Sequence, residues 1–133
     1  MLIVDRNPIV RGMMKTLFQP HVPDLRFAAT LDEALAELAG GGIARLLVDE
    51  ATLSPQTPDP AGRVAPLVAA ARVSGAATVI LWPELDEHTR TSLAAAGIDQ
   101  VIAKPVSGAN LLKALFSTNR ENPGNSALVS QAA

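Results

Sequence analysis

The chain has 133 residues, 48% hydrophobic and only 3% aromatic, with a formal net charge of −2. That length suits one domain with its own core, and the slightly acidic balance excludes the basic surface typical of nucleic-acid-binding proteins. The sequence has no cysteine, which excludes disulfides and thiolate metal sites. It also has no apolar run of membrane-spanning length and no signal-peptide pattern at its start, so we expect a soluble cytoplasmic protein with no direct contact to nucleic acid or membrane.

The first half of the chain alternates short apolar runs with segments of helical periodicity. The apolar runs predict strands at residues 2–4, 25–29 and 43–48. Two helices are predicted between them. The first begins at the N-cap and first-turn pair Asn7 and Pro8. The second begins at the capping box of Thr30 and Glu33 and ends at glycines 40–42.

The second half continues this alternation after a proline-rich loop at residues 53–60. Further strands are predicted at residues 78–82, where Pro83 should end the strand, and at residues 98–103. Helices are predicted at residues 61–74, at residues 88–96, and from the N-cap Ser107 through Phe116.

The composition changes near residue 117, where periodicity stops and Asn, Ser, Gly, Pro and Ala dominate. Residues 1–117 are therefore expected to form one domain. Residues 118–133 are expected to be a polar linker or a disordered tail.

Five alternating strands and helices predict an α/β fold, in which a parallel sheet is covered by helices on both faces. Sites in such folds form at the carboxyl ends of the strands. The polar or large side chains predicted at those ends are Asp5, Arg6, Asp49, Glu50, Trp82 and Lys104. Strands one, three and five bring the carboxylates of Asp5 and Asp49 and the amino group of Lys104 to one edge. This set suits either a divalent cation on oxygen ligands or an aspartyl phosphate whose charge the lysine offsets.

Three landmarks in this order resemble the receiver domain of two-component response regulators, the CheY-like family. They are the run LIVD ending at Asp5, the run RLLVD ending at Asp49, and the pair Lys104 and Pro105. The resemblance covers residues 2–117. It implies a flavodoxin-like, doubly wound (βα)5 fold with a five-stranded parallel sheet in the order 2-1-3-4-5.

The resemblance also implies roles for the strand-end residues. Asp49 would be the phosphoacceptor, and Lys104 would contact the phosphoryl group. Asp5 and Asp49, with the backbone carbonyl of Glu50, would hold Mg²⁺. The phosphoryl donor would be a histidine kinase or a histidine phosphotransfer domain.

Three positions depart from the family pattern. Arg6 stands where receivers carry a second acid, Trp82 where they carry a Ser or Thr hydroxyl, and Val101 where they carry Tyr or Phe. With one carboxylate fewer, Mg²⁺ binding is expected to be weak or lost. Arg6 is either a solvated charge or a partner of Asp49 or Asp5.

The other two departures bear on how a modified site would signal. Without the hydroxyl, coupling between the site and the output surface is expected to be disabled. For Trp82 itself, packing in the core is favoured over contact with a ligand or partner. The tryptophan could supply the bulk that Val101 lacks.

Two functions follow from this pattern. One is a phosphorelay receiver, in which Asp49 accepts the phosphoryl group and the face of helix four, strand five and helix five relays it. The other is a pseudo-receiver that binds a protein or ligand without phosphorylation. In either case the domain is at most a phosphoacceptor. It is expected to work with a kinase domain, in cis if the chain comes from a hybrid histidine kinase, and is compatible with a homodimer.

Overall fold

The computed structural model describes residues 1–53 and 59–117. Its strands are β1 (Leu2–Val4), β2 (Arg26–Ala28), β3 (Arg45–Asp49), β4 (Ala77–Pro83) and β5 (Gln100–Lys104). Its α-helices are α1 (Pro8–Phe18), α2 (Leu31–Ala39), α3 (Pro60–Ser74), α4 (Glu87–Ala96) and α5 (Gly108–Leu112). A short 3₁₀ helix, Glu50–Thr52, follows β3, and a π-helical turn, Lys113–Ser117, follows α5.

The five strands form one parallel sheet in the order β2-β1-β3-β4-β5. This arrangement confirms the predicted flavodoxin-like fold. Strands inside a parallel sheet are covered on both faces and are therefore apolar without interruption. The central strand β3 shows this at Leu46, Leu47 and Val48, each at most 1% exposed.

The sheet separates two hydrophobic cores. Side chains alternate between the two faces along each strand, so each strand contributes to both cores. One core lies under α2, α3 and α4, and in β4 it takes Ile80 and Trp82. The other lies under α1 and α5 and takes Val79 and Leu81 from the same strand. Because all the strands run parallel, their carboxyl ends lie at one edge of the sheet.

The predicted helix caps are present. The Asn7 side chain accepts the N–H of Ile9 at 2.9 Å, and the Ser107 hydroxyl accepts that of Asn110 at 3.1 Å. At α2, Thr30 accepts the N–H of Glu33 at 3.1 Å. The Glu33 carboxylate returns a bond to the N–H of Ala29 rather than to that of the cap residue, so the capping box is displaced by one residue.

Several element boundaries differ from the prediction. Helix α3 begins at Pro60 itself, because a proline in the first helical turn has no N–H left without a partner. Strand β4 includes Pro83, which lies opposite Lys104 at the end of the β4–β5 pairing. Helix α4 begins at Glu87, because the Asp86 side chain accepts the N–H of Thr89 at 2.7 Å and caps it.

Strand β5 begins two residues later than predicted, at Gln100. The preceding Asp99 still donates its N–H to the Thr78 carbonyl at 3.0 Å, but the Thr78 N–H donates to the Asp99 side chain at 2.7 Å instead of to a backbone carbonyl. Residues 54–58 of the proline-rich loop and the predicted linker at residues 118–133 lie outside the described residues. Within the described part, no helix is both long enough and apolar enough to cross a lipid bilayer.

Candidate functional site

Asp49 and Lys104 form an ion pair at the carboxyl edge of the sheet. Asp49 ends β3 and Lys104 ends β5, with β4 lying between them. The Lys104 Nζ lies 2.7 Å from the Asp49 Oδ1, and the two side chains are 28% and 12% exposed. The predicted acid and cation are therefore in direct, charge-assisted contact.

Asp5 lies at the same edge, directly after β1, and is only 5% exposed. Its Oδ1 accepts the N–H of Asn7 at 2.9 Å, and its backbone carbonyl accepts the Arg11 Nη1 at 2.8 Å. Burial raises the pKa of the Asp5 carboxyl; the bond from Asn7 lowers it, and the charge of Asp49 raises it further. Asp5 therefore lies close enough to Asp49 for the two carboxylates to repel each other.

Glu50 contributes a second carboxylate to Lys104. Its Oε1 lies 3.1 Å from the Lys104 Nζ. Burial lowers the pKa of Lys104, but hydrogen bonds to Asp49 and Glu50 and their charges outweigh it, so the pKa is raised overall. Lys104 is thus an ammonium group at neutral pH.

Arg63 reaches this edge from α3 and holds Glu50. Its Nη2 donates to the Glu50 backbone carbonyl at 2.8 Å and to the Glu50 Oε2 at 3.2 Å. Its guanidinium also lies over the Trp82 ring, 5.0 Å from the centroid. Glu50 therefore bridges two cations, Lys104 and Arg63.

The three atypical positions occupy different surroundings. The Arg6 side chain is exposed and forms no ion pair within the described ranges 1–53 and 59–117, while its backbone N–H donates to the Thr52 hydroxyl at 3.0 Å. Trp82 is buried, 7% exposed, in the core under α2, α3 and α4. Val101 packs partly buried against that same core.

The oxygen donors present do not fit a tightly bound divalent cation. The described residues contain no group of three or more His, Asp or Glu side chains arranged to hold a metal. Asp49 is bound through Oδ1 to an ammonium group, and the Glu50 carbonyl already accepts a guanidinium N–H. Two positive charges therefore lie beside the oxygens that Mg²⁺ would need.

A cleft of about 540 Å³ opens beside the ion pair, between α1 and α5. Asp5, Asp49 and Lys104 line its polar end. Its other walls include the apolar side chains Val10, Met13, Met14, Leu17, Val106 and Leu111. A small charged reactant could therefore approach Asp49 from this side.

Sequence reasoning missed Arg63, Arg11 and the side-chain role of Glu50. Arg63 carries a weak signal, since it is a charge in the first turn of a helix whose middle, from Val64 to Ala71, is uncharged. Arg11 lies one turn into α1, where a solvated charge is the ordinary interpretation. The spacing of these two arginines in the sequence does not indicate which strand end either side chain contacts.

No protein-family model and no curated protein matches the chain. Solved structures do resemble it. A CheY-like response regulator receiver domain protein from Methanospirillum hungatei JF-1 is 22% identical with a TM-score of 0.72, covering 90% of this chain and 92% of that one. The chemotaxis protein CheY4 of Vibrio cholerae is 21% identical with a TM-score of 0.66, covering 86% and 92%.

A third structure is a response regulator protein from Burkholderia pseudomallei with a phosphorylated aspartic acid, a calcium ion and citrate. It is 22% identical with a TM-score of 0.69, and the likeness covers 95% of this chain and 71% of that one. These likenesses extend over almost the whole described chain and agree with the strand order found here. The chain therefore has the fold of CheY-like response regulator receiver domains.

Proposed function

We propose that this chain is a two-component receiver module that accepts a phosphoryl group on Asp49. The observation that carries the proposal is the 2.7 Å contact between Lys104 Nζ and Asp49 Oδ1 at the carboxyl edge of the sheet. A carboxylate beside a fixed ammonium group, at the mouth of a cleft, has the charge arrangement that an aspartyl phosphate needs. The neighbour from Burkholderia carries such a phosphorylated aspartic acid on the same fold.

The donor in this proposal is a phosphohistidine of a histidine kinase or a histidine phosphotransfer protein, in the same chain or a separate one. A carboxylate oxygen of Asp49 attacks phosphorus, so that an O–P bond forms while the P–N bond to histidine breaks. The imidazole leaves with the electron pair of that bond and takes a proton from water. Lys104 offsets the negative charge that collects on the phosphoryl oxygens.

Two features make this an atypical receiver. Mg²⁺ in receiver chemistry screens the phosphoryl oxygens, and here we propose that it binds weakly because Lys104 and Arg63 hold the oxygens of Asp49 and Glu50. The β4 position that would offer a hydroxyl instead holds the buried indole of Trp82. Relay through the face of α4, β5 and α5 is therefore proposed to be weak.

The alternative is a pseudo-receiver, which regulates a partner through binding alone. It is favoured by one observation: Lys104 already has two carboxylate partners, at 2.7 and 3.1 Å, in the unmodified protein. Its charge is then neutralised without phosphorylation.

The two proposals differ in whether Asp49 reacts. Intact-protein mass spectrometry after incubation with acetyl phosphate and Mg²⁺ should show a phosphoryl adduct on the native chain. Asp49→Asn should remove the adduct, because an amide is no nucleophile at this position. Asp32→Asn, which changes an exposed acid on α2, is the matched control and should leave it. If the native chain forms no adduct, the pseudo-receiver is the better description.

A further inference from the structure

Both oxygens of the Glu50 carboxylate are bound to cations. Oε1 lies 3.1 Å from Lys104 Nζ, and Oε2 lies 3.2 Å from Arg63 Nη2. The Glu50 and Arg63 side chains are 13% and 16% exposed, so solvent screens this contact only in part. Glu50 is therefore a fixed anion beside the proposed phosphoacceptor.

Arg63 holds Glu50 by more than charge. The bond to the Glu50 carbonyl fixes the backbone directly after Asp49, while the bond to the carboxylate fixes the side chain. The Trp82 ring, over which the guanidinium carbon lies 5.0 Å from the centroid, further restricts the guanidinium. Its buried Nε–H has no hydrogen-bond partner among the described residues, so the guanidinium is placed by Glu50 and Trp82 rather than by a full set of donors and acceptors.

A phosphoryl group on Asp49 would compete with this arrangement. It brings between one and two negative charges and strong acceptor oxygens to the side chain that Lys104 contacts. Because Asp49 gives up its own carboxylate charge in the acyl phosphate, Glu50 is the second anion at the same ammonium group beside the phosphoryl group, and like charges at such distances repel. Lys104 has three N–H donors, and Asp49 and Glu50 already take two of them, so the phosphoryl oxygens must share its donors and its charge with Glu50 while that contact persists.

We propose that Glu50 is an internal anion that competes with a phosphoryl group on Asp49 for Lys104, and that Arg63 is the positioning residue that holds Glu50 in place. The inference rests on the proposed function, because it concerns the same acceptor. It adds a residue pair that sets how readily the site takes up an anion. As a consequence, displacing Glu50 would move Arg63 relative to the indole of Trp82.

The experiment titrates beryllofluoride, a phosphoryl mimic, into the full chain at fixed Mg²⁺. Occupancy is followed by ¹⁹F NMR, and Trp82 by fluorescence. Glu50→Gln keeps the shape of the side chain but removes its charge. The beryllofluoride concentration at half occupancy should therefore be about tenfold lower for this variant than for the native chain. Glu37→Gln is the matched control, since it removes a half-exposed charge of α2 that pairs with Arg26 of β2, and it should leave the midpoint unchanged.

Arg63→Met tests the positioning role. In the native background, Arg63→Met should lower the midpoint of the beryllofluoride titration by about fivefold, because Glu50 is no longer held beside Lys104. When Arg63→Met is combined with Glu50→Gln, it should leave the midpoint unchanged. A general loss of stability would act equally in both backgrounds, and circular dichroism checks that each variant is folded. The native Trp82 signal should change with occupancy, and this change should be smaller in Glu50→Gln.

The outcomes separate the inference from the function on which it rests. Equal midpoints for the native chain and Glu50→Gln would overturn the competition while leaving Asp49 as the acceptor. An Arg63→Met effect of the same size in both backgrounds would overturn the positioning role. An absence of bound beryllofluoride in every variant would reject the proposed function and the competition together.

Discussion

Burial of Asp5 is unfavourable for its charged form. Its raised pKa reflects a carboxylate removed from water beside Asp49, with one N–H donor on Oδ1 as partial compensation. Such a group is retained at a cost in stability, which is common where a site needs a particular charge. The cost depends on pH in a way that can be measured.

The free energy of unfolding should fall as pH rises through the pKa of folded Asp5. Because the folded pKa is raised, the unfolded chain loses this proton first and binds fewer protons across that window, so stability decreases with pH. Asp5→Asn keeps an acceptor for the N–H of Asn7 and should raise stability at neutral pH by about 1 kcal/mol. The difference in stability between Asp5→Asn and the native chain should shrink at pH values below the ordinary pKa range of a carboxyl group.

Urea denaturation of both proteins across acidic to neutral pH measures this difference. Asp32→Asn on the exposed surface of α2 serves as the control and should show no comparable gain. A constant difference between Asp5→Asn and the native chain at all pH values would contradict the assignment to Asp5 ionisation.

At the scale of elements, the connection from α4 to β5 depends on a glycine. Gly97 ends α4 in the left-handed region, with φ of 106°. A Cβ at this position would lie 2.6 Å from Arg72 Nη2 and 3.0 Å from Val68 Cγ1, both on α3. The turn thus needs glycine for its backbone, and a Cβ would also force the Arg72 and Val68 side chains to shift.

Gly97→Ala should lower the free energy of unfolding by about 2 kcal/mol, because backbone strain and the contact with α3 act together. Gly12 on α1 offers a matched comparison, since its Cβ would meet no atom within 4 Å. Gly12→Ala should stabilise the protein by about 0.5–1 kcal/mol through helix propensity. Denaturant melts of the two variants should therefore shift in opposite directions, and a neutral Gly97→Ala would show that the turn relaxes freely.

At the scale of the whole molecule, one sheet joins the two cores. Leu46 and Leu47 are adjacent in β3, yet they pack into opposite cores. Trp82 lies in the first core, while Leu47 lies in the second. Loss of packing in either core should therefore destabilise the entire sheet.

Leu47→Ala should lower the free energy of unfolding by about 2–5 kcal/mol, since it leaves a cavity in a fully packed interior. Trp82 fluorescence and far-UV circular dichroism should still report one coincident transition, because the sheet makes the two cores cooperative. Leu46→Ala on the opposite face is the matched variant. If the circular dichroism transition moved while the Trp82 transition did not, the cores would unfold separately.

The sequence by itself determined the order of elements and much of the site. Apolar runs of strand length and periodic helical segments are local signals, and so are the caps at Asn7, Thr30 and Ser107. Parallel strands then bring their carboxyl ends to one edge, so the juxtaposition of Asp49 with Lys104 follows from topology.

Tertiary structure alone decided which charges pair. Glu50 contacts Lys104 across 54 positions of sequence and Arg63 across 13, and no local period encodes either contact. Arg6, which is adjacent to Asp5, is exposed and forms no ion pair with the described residues, while Arg63 from a separate helix binds Glu50. Pairing at these distances depends on how α3 packs over Trp82, which is a property of the assembled core rather than of any segment.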